Sequence, residues 1–328
     1  MLWWIFESLG LAGSAVVFLV GMLALDKLSD LTVENAVKVA ELTRVGKMTV
    51  GFLLISTFTT LPELSVSVFS IVDPEAIGVA IGNVLGSNIV NICLILGLCI
   101  LILSLMKPRK TYHLGKTSTK EIRNLYFGLF IASLIPLILV YIGYAGSIIG
   151  SALITIYIIH VIQLIRSENR KEERSLSEED SVSRPTLLTI LGAIGVVSCA
   201  FFIVESATFI AETLGIPKVV IGATIVAFGT SLPELVNGIN ATRKGHIELT
   251  LGNIIGSGFV NITLILGVTL LVGQFRVNMV AYSNLATFSI VANLILWYFL
   301  SGERIGWREG ALLLFIYILF IVTSFGAR

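Results

Sequence analysis

The stretch GNVLGSNIVNICLILGL at 82–98 returns 170 residues later as GNIIGSGFVNITLILGV at 252–268, with 11 of 17 positions identical. Just upstream, GFLLISTFTTLPEL at 51–64 returns at an offset of 171 as GATIVAFGTSLPEL at 222–235, and ENAVKVAEL at 34–42 meets ESATFIAET at 205–213. Three matches at nearly one spacing make the chain an internal duplication, so the two halves share one fold.

How the copies are oriented depends on the solvent. Of 328 residues, 55% are hydrophobic and 13% charged, and the mean hydropathy is +0.95, too apolar for a soluble domain of this length. Crossing a hydrocarbon core of about 30 Å takes about 20 helical residues. Apolar runs of that order fall near 8–26, 48–71, 77–105, 124–143, 145–165, 186–212, 219–241, 249–272, 280–300 and 309–325, and only 26–47, 106–123 and 166–184 are extended and polar.

No positive charge precedes the first run and Lys27 follows it, so no cleavable leader is expected and the N-terminus is placed outside. Threading ten spans from there puts 4, 6, 5, 2 and 2 Lys and Arg in the five inner loops and leaves Lys218, Arg276 and Arg328 outside. This split of 19 to 3 obeys the positive-inside rule. Both termini are then extracellular, and the 166–184 loop, RSENRKEERSLSEEDSVSR, is a solvated cytoplasmic linker in a multi-pass cell-membrane protein.

Five spans separate equivalent points of the copies, and five is odd. The second copy therefore enters the membrane in the opposite sense. The expected fold class is an all-α polytopic membrane protein with ten transmembrane helices arranged as two inverted-topology five-helix repeats. The first repeat is 1–165 with its motif at 51–98, and the second is 185–328 with its motif at 222–268.

Within each copy the polar residues are spaced for chemistry. Ser56, Thr59, Thr60, Glu63 and Ser67 recur at three and four residues, one stripe on an apolar helix; the second copy has Thr230, Ser231 and Glu234, flanked by Ala227 and Gly238. The following spans carry Asn83, Ser87 and Asn91, or Asn253, Ser257 and Asn261. Glu63 lies 16 residues after Lys47 and 10 before Asp73, and Glu234 lies 16 after Lys218 and 9 before Arg243, too deep to snorkel to water. No Lys, Arg or His lies in the central part of any span to neutralise them.

Pro62 and Pro233, each just before a glutamate, lack an N–H and open the preceding turn, which frees backbone carbonyls near Thr59 and Thr230. Carboxylates, hydroxyls, carboxamides and freed carbonyls together are what a hard cation such as Ca²⁺ takes, with 6–8 oxygens at about 2.3–2.6 Å. Singly, each feature has a plainer use: a kink at proline, Ser and Thr bonding their own helix, asparagine as interhelical glue, glycine at close crossings. A membrane-central glutamate in a duplicated motif outweighs those uses. Cys93, Cys99 and Cys199 lack metal-type spacing and read as packing residues.

The GTSLPE core and the doubled GN-x-x-G-S-x-x-x-N pattern resemble the sodium/calcium exchangers of the cation/calcium antiporter superfamily, in the archaeal and bacterial ten-span form, and the likeness covers essentially the whole chain. The resemblance implies a secondary antiporter, with no cofactor, that carries Ca²⁺ and Na⁺ by alternating access. It implies that Glu63 and Glu234 are carboxylates shared by both ions and that carbonyls of Thr59 and Thr230 complete the calcium cage. Thr60, Ser231, Ser87 and Ser257 would offer hydroxyls to flanking sodium sites, with carbonyls from Ser56 and Ala227, and Asn91 and Asn261 would be carboxamide ligands. The first and sixth helices, about 8–42 and 186–212, would slide across the other eight.

Two departures stand out. Family members often carry aspartate where this chain has Asn261, which argues against potassium co-transport, and Phe58 replaces a glycine near the cage. A calcium/proton exchanger, or an exchanger of another divalent cation, is the alternative within the superfamily, since two carboxylates also bind two protons. A channel could use a similar cage. An intramembrane enzyme would need a nucleophile or metal set that His113, His160 and His246 do not form. The implied partners are the ions and the lipid bilayer; the basic loops match topology and not nucleic acid, and nothing points to a protein partner.

Overall fold

The computed structural model describes residues 3–43, 47–64, 67, 77–106, 112–113, 126, 128–130, 133–135, 138, 144–169, 182–214, 227–272, 275–276, 279–301 and 304–326. Its helices are α1 (Trp3–Thr43), α2 (Lys47–Val50), α3 (Ser56–Thr59), α4 (Ile77–Ile89), α5 (Gly97–Met106), α6 (Ser147–Asn169), α7 (Ser183–Thr213), α8 (Ala227–Thr230), α9 (Leu232–Arg243), α10 (Ile247–Val260), α11 (Leu266–Val272), α12 (Met279–Ser301) and α13 (Trp307–Gly326). Three π-helical stretches, Gly51–Ile55, Val90–Leu96 and Asn261–Ile265, join α2 to α3, α4 to α5 and α10 to α11. Two-residue strands β1 (Tyr112–His113), β2 (Tyr144–Ala145), β3 (Phe275–Arg276) and β4 (Arg304–Ile305) complete the described elements.

Among the described residues, six helical stretches are long and apolar enough to cross a membrane: Ile5–Thr43, Gly82–Met106, Ser147–Leu164, Ser183–Ile203, Ile247–Val272 and Asn284–Ser301. In the predicted spans at 48–71 and 219–241 the described parts, 48–64 and 227–241, are broken helices; 65–66, 68–71 and 219–226, most of 124–143 and 170–181 of the polar linker lie outside the described residues. The protein is an all-α polytopic membrane protein built as two inverted five-helix repeats of ten spans.

The polar segment 26–47, which interrupts the apolar pattern, is helical to Thr43, in agreement with the first helix of about 8–42 that the family resemblance implies. Val33, Ala36, Val37 and Ala40 recur at helical spacing and are buried with Val50, Ile55, Ala241 and Leu249, so an amphipathic face carries the helix beyond the apolar run. Gly10, at φ 64°, breaks the same helix near its start, in a backbone region that glycine enters without a Cβ clash.

The duplication is visible in the packing. β1 pairs with β4 and β2 pairs with β3, both antiparallel. The stretch after the third span of one copy is thus tied to the stretch before the last span of the other, twice. The helices repeat the exchange, since α5 packs on α13 while α11 packs on α6. Glycines set both crossings: a Cβ on Gly310 would lie 2.9 Å from the Gly97 carbonyl oxygen, and one on Gly150 would lie 2.6 Å from that of Gly267. Gly97 and Gly267 are the same position of the repeated motif.

Burial separates two bodies. The motif helices hold the core, where Ile92, Ile95, Leu96, Ile262, Ile265 and Leu266 are at most 1% exposed. α1 and α7 lie along each other over much of their length, joined through Leu25, Val196, Ala200 and Ile203. Only 11% of the α1 apolar stretch is buried, against 83% for Ile247–Val272, so α1 runs on the outside of a packed core.

Candidate cation-binding site

Both proline-bearing motifs break their helices at the same place. Thr60 has φ −82° and ψ 4°, and Ser231 has φ −91° and ψ 7°. This is the bridge region between helix and strand, common in turns and at active sites. The chain resumes helical bonding at once, with the Leu64 N–H donating to the Thr60 carbonyl (3.0 Å) and the Leu235 N–H to the Ser231 carbonyl (3.1 Å). Each glutamate therefore begins the helical turn just after a break.

Glu63 and Glu234 are fully buried. The Ser257 hydroxyl donates to Glu234 Oε1 at 2.9 Å. The Ser231 hydroxyl faces the Glu63 carboxylate, and Thr59 faces that of Glu234. Two further contacts cross the copies in mirror fashion: Thr59 Oγ1 donates to Asn253 Oδ1 (3.3 Å), and Thr230 Oγ1 to Asn83 Oδ1 (3.4 Å). The broken helices of one copy thus meet the asparagine helix of the other.

Asn91 and Asn261 are fully buried. Asn261 opens its π stretch and Asn91 is the second residue of the other, so both copies widen the helix at the carboxamide; such bulges recur at functional sites. The Val90–Leu96 stretch packs on α9 and α10, and Asn261–Ile265 packs on α4 and α6.

The remaining expected residues bond locally. The hydroxyls of Ser56 and Ser87 donate to the carbonyls of Phe52 and Asn83 in their own helices, and Thr60 Oγ1 donates to the Ser56 carbonyl at 2.9 Å. A hydroxyl whose proton is so engaged keeps lone pairs for a cation. Ala227 begins α8, and its side chain lies outside the described residues. Phe58 is half-buried.

Among the described residues, Glu63 Oε1 and Oε2, Glu234 Oε2, Asn91 Oδ1, Asn261 Oδ1 and Ser231 Oγ are buried oxygens without a hydrogen-bond partner. Buried polar atoms are seldom left so, because each costs about 1–3 kcal/mol and a charged one more. Carboxylate, carboxamide and hydroxyl oxygens of this kind are the donors that a hard cation takes. No group of three or more His, Cys, Asp and Glu occurs among the described residues.

The profile of the family described as "Sodium/calcium exchanger protein" matches residues 13–166 and 184–326. The chain belongs to the sodium/calcium exchanger family. It is a membrane-embedded cation/calcium antiporter and not an enzyme. It is similar to the sodium/calcium exchanger MaX1 of Methanosarcina acetivorans, with 32% identity over 94% of this chain and 98% of the relative. An uncharacterized membrane protein of Methanocaldococcus jannaschii, MJ0091, shares 31% identity over 93% of this chain and 96% of its own length. The crystal form of the sodium-calcium exchanger NCX_Mj soaked with 10 mM Na⁺ and zero Ca²⁺ superposes with a TM-score of 0.81, 30% identity, 96% of this chain and 99% of that one.

Several polar links in this exchanger escaped the motif reading. The Asn88 amide donates to Ser289 at 2.9 Å, Tyr126 bonds the Asn293 carbonyl, and Ser29 donates to Asn237 Oδ1 at 2.8 Å. Their sequence signal is weak, one polar residue in an apolar run with its partner more than a hundred residues away.

Proposed function

We propose that the antiporter exchanges Ca²⁺ for Na⁺ by alternating access at a single midplane cage. Its ligands are the carboxylates of Glu63 and Glu234, the carboxamides of Asn91 and Asn261, hydroxyls of Thr60, Ser231, Ser87 and Ser257, and carbonyls near Ser56, Thr59, Ala227 and Thr230. The observation that carries this reading is the pair of buried glutamates, one from each copy, with three of their four carboxylate oxygens without a hydrogen-bond partner among the described residues. Two carboxylates neutralise one Ca²⁺, and the same two charges accept Na⁺ ions in its place, so the cargoes compete rather than travel together.

The proposal includes the arrangement in the membrane. Repeats 1–165 and 185–328 are joined by a cytoplasmic 166–184 linker, both termini are extracellular, and α1 with α7 slides across the core; the loop charge count supports this orientation. Proton coupling is the competing reading, since two carboxylates that neutralise one Ca²⁺ also bind two protons.

Calcium uptake by proteoliposomes separates the two. An outwardly directed Na⁺ gradient at equal pH is expected to drive saturable Ca²⁺ uptake, and a pH gradient without Na⁺ is not. Uptake driven by the pH gradient alone would replace sodium with protons.

A further inference from the structure

α1 and α9 are joined by a polar ladder that leads away from the cage. Asn237 lies three residues after Glu234, and Asn240 and Lys244 follow at helical spacing. On α1 the facing residues are Asp26, Ser29, Asp30 and Glu34, spread over about two turns, and their contacts with α9 cross instead of running in sequence order. Rung by rung, Ser29 Oγ donates to Asn237 Oδ1 at 2.8 Å in a buried contact, Asn240 Nδ2 donates to Asp26 Oδ1 at 3.4 Å, and Lys244 Nζ sits 2.9 Å from Asp30 and 3.1 Å from Glu34. The Asn237 Nδ2 is buried without a partner.

Duplication makes the ladder informative, because it has no copy. At an offset of 171, Asp26, Ser29 and Asp30 correspond to Val197, Ala200 and Phe201, while Asn237 and Asn240 correspond to Val66 and Phe69. Lys244 corresponds to Asp73, which could not pair with Glu205, the counterpart of Glu34. A chain that repeats its cage motifs has not repeated these polar residues in its sequence. Packing alone does not ask for that, since Val66, Phe69, Val197, Ala200 and Phe201 at the corresponding positions of the sequence are apolar.

We propose that the ladder is the closing contact of the ion path on the side that carries Lys244, and that Ser29, Asn237 and Lys244 are positioning residues that set how often that side opens. The inference rests on the alternating-access reading above. Separating α1 from α9 there would uncover a row of amide and carboxylate oxygens running from the membrane surface to Glu234, a suitable lining for a cation. With the rungs made, Lys244 neutralises the acidic end of that row and holds the helices together.

The test is the half-saturating Ca²⁺ concentration at each face, measured in right-side-out and inside-out vesicles. A weaker ladder raises the fraction open toward its own face and lowers the fraction open toward the other, so the two apparent affinities move in opposite directions. For Ser29→Ala and for Lys244→Gln the expected change is about threefold at each face, tighter on the Lys244 side and weaker opposite. Lys244→Arg, which keeps both ion pairs, leaves both values unchanged. Removal of a repelling charge from the mouth would tighten one face only, and a merely structural role would move both faces the same way. Either of those results, or an unshifted Ser29→Ala, overturns the inference. Ca²⁺ half-saturation is read whether Na⁺ or protons move in return, so failure of sodium coupling leaves this test intact. Absence of saturable Ca²⁺ flux in the unaltered protein would overturn the exchange reading and the inference with it.

Discussion

Glu63 and Glu234 hold the same position in two copies of one motif, yet their surroundings differ. Glu234 accepts a 2.9 Å hydrogen bond from Ser257, while both oxygens of Glu63 are buried without a hydrogen-bond partner. Ser87, the counterpart of Ser257, instead donates to the Asn83 carbonyl in its own helix. In the proposed cage, two symmetric walls would present a cation with one carboxylate held by a 2.9 Å serine hydrogen bond and one without such a bond. The difference assigns unequal work to equal residues.

The largest expected effect comes from removing either charge. Glu63→Gln and Glu234→Gln keep shape and leave one carboxylate for a divalent ion; both should reduce Ca²⁺ flux in proteoliposomes to background with folding retained, as judged by monodisperse purification. Near-normal flux in either variant would break the shared site.

The serines sharpen the contrast. A hydrogen bond to a charged group contributes about 1.5–3 kcal/mol, so Ser257→Ala is expected to raise the half-saturating Ca²⁺ concentration about tenfold or more. Ser87→Ala, which removes a hydroxyl already committed to its own helix, should raise it less than half as much on a logarithmic scale. Equal shifts would mean that the two walls are equivalent in the working protein.

Asn261→Asp should produce a smaller change in Ca²⁺ affinity and a visible change in pH response. A third carboxylate beside Glu63 and Glu234 repels both in a region of low dielectric, so one of the three keeps a proton near neutrality. Flux of the variant should therefore rise more steeply than that of the parent between about pH 6 and about pH 9, as protons leave and Ca²⁺ takes their place. Identical profiles, with and without K⁺, would place Asn261 outside the cage. The smallest effect concerns orientation: a cysteine introduced within 166–184 should react with an impermeant maleimide only from the cytoplasmic side, and labelling from outside would reverse the threading.

What was legible in the sequence was whatever the duplication wrote twice. The odd number of spans between copies gave inverted repeats, and the Leu-Pro-Glu-Leu cores gave the breaks at Thr60 and Ser231 together with the glutamates behind them. The apolar pattern alone did not show the length of α1, which the family resemblance supplied, because apolarity marks the depth of lipid, whereas helix continuation past residue 26 depends on an amphipathic face buried against Val50, Ala241 and Leu249. Which serine bonds a carboxylate and which bonds its own backbone was not legible either. Ser87 and Ser257 occupy the same letter of the motif, and their difference arises from contacts between copies. The α1–α9 ladder was missed for the opposite reason, since it is written once.

The central claim is that two half-sites form one cage. Equilibrium binding of ⁴⁵Ca²⁺ to the purified protein, alone and in competition with Na⁺, tests it directly in the parent, Glu63→Gln and Glu234→Gln. The account predicts one Ca²⁺ per chain, displaced by Na⁺, and the loss of all of that binding in each single variant. Retention of Ca²⁺ binding by either variant with near-parental affinity would contradict a shared cage.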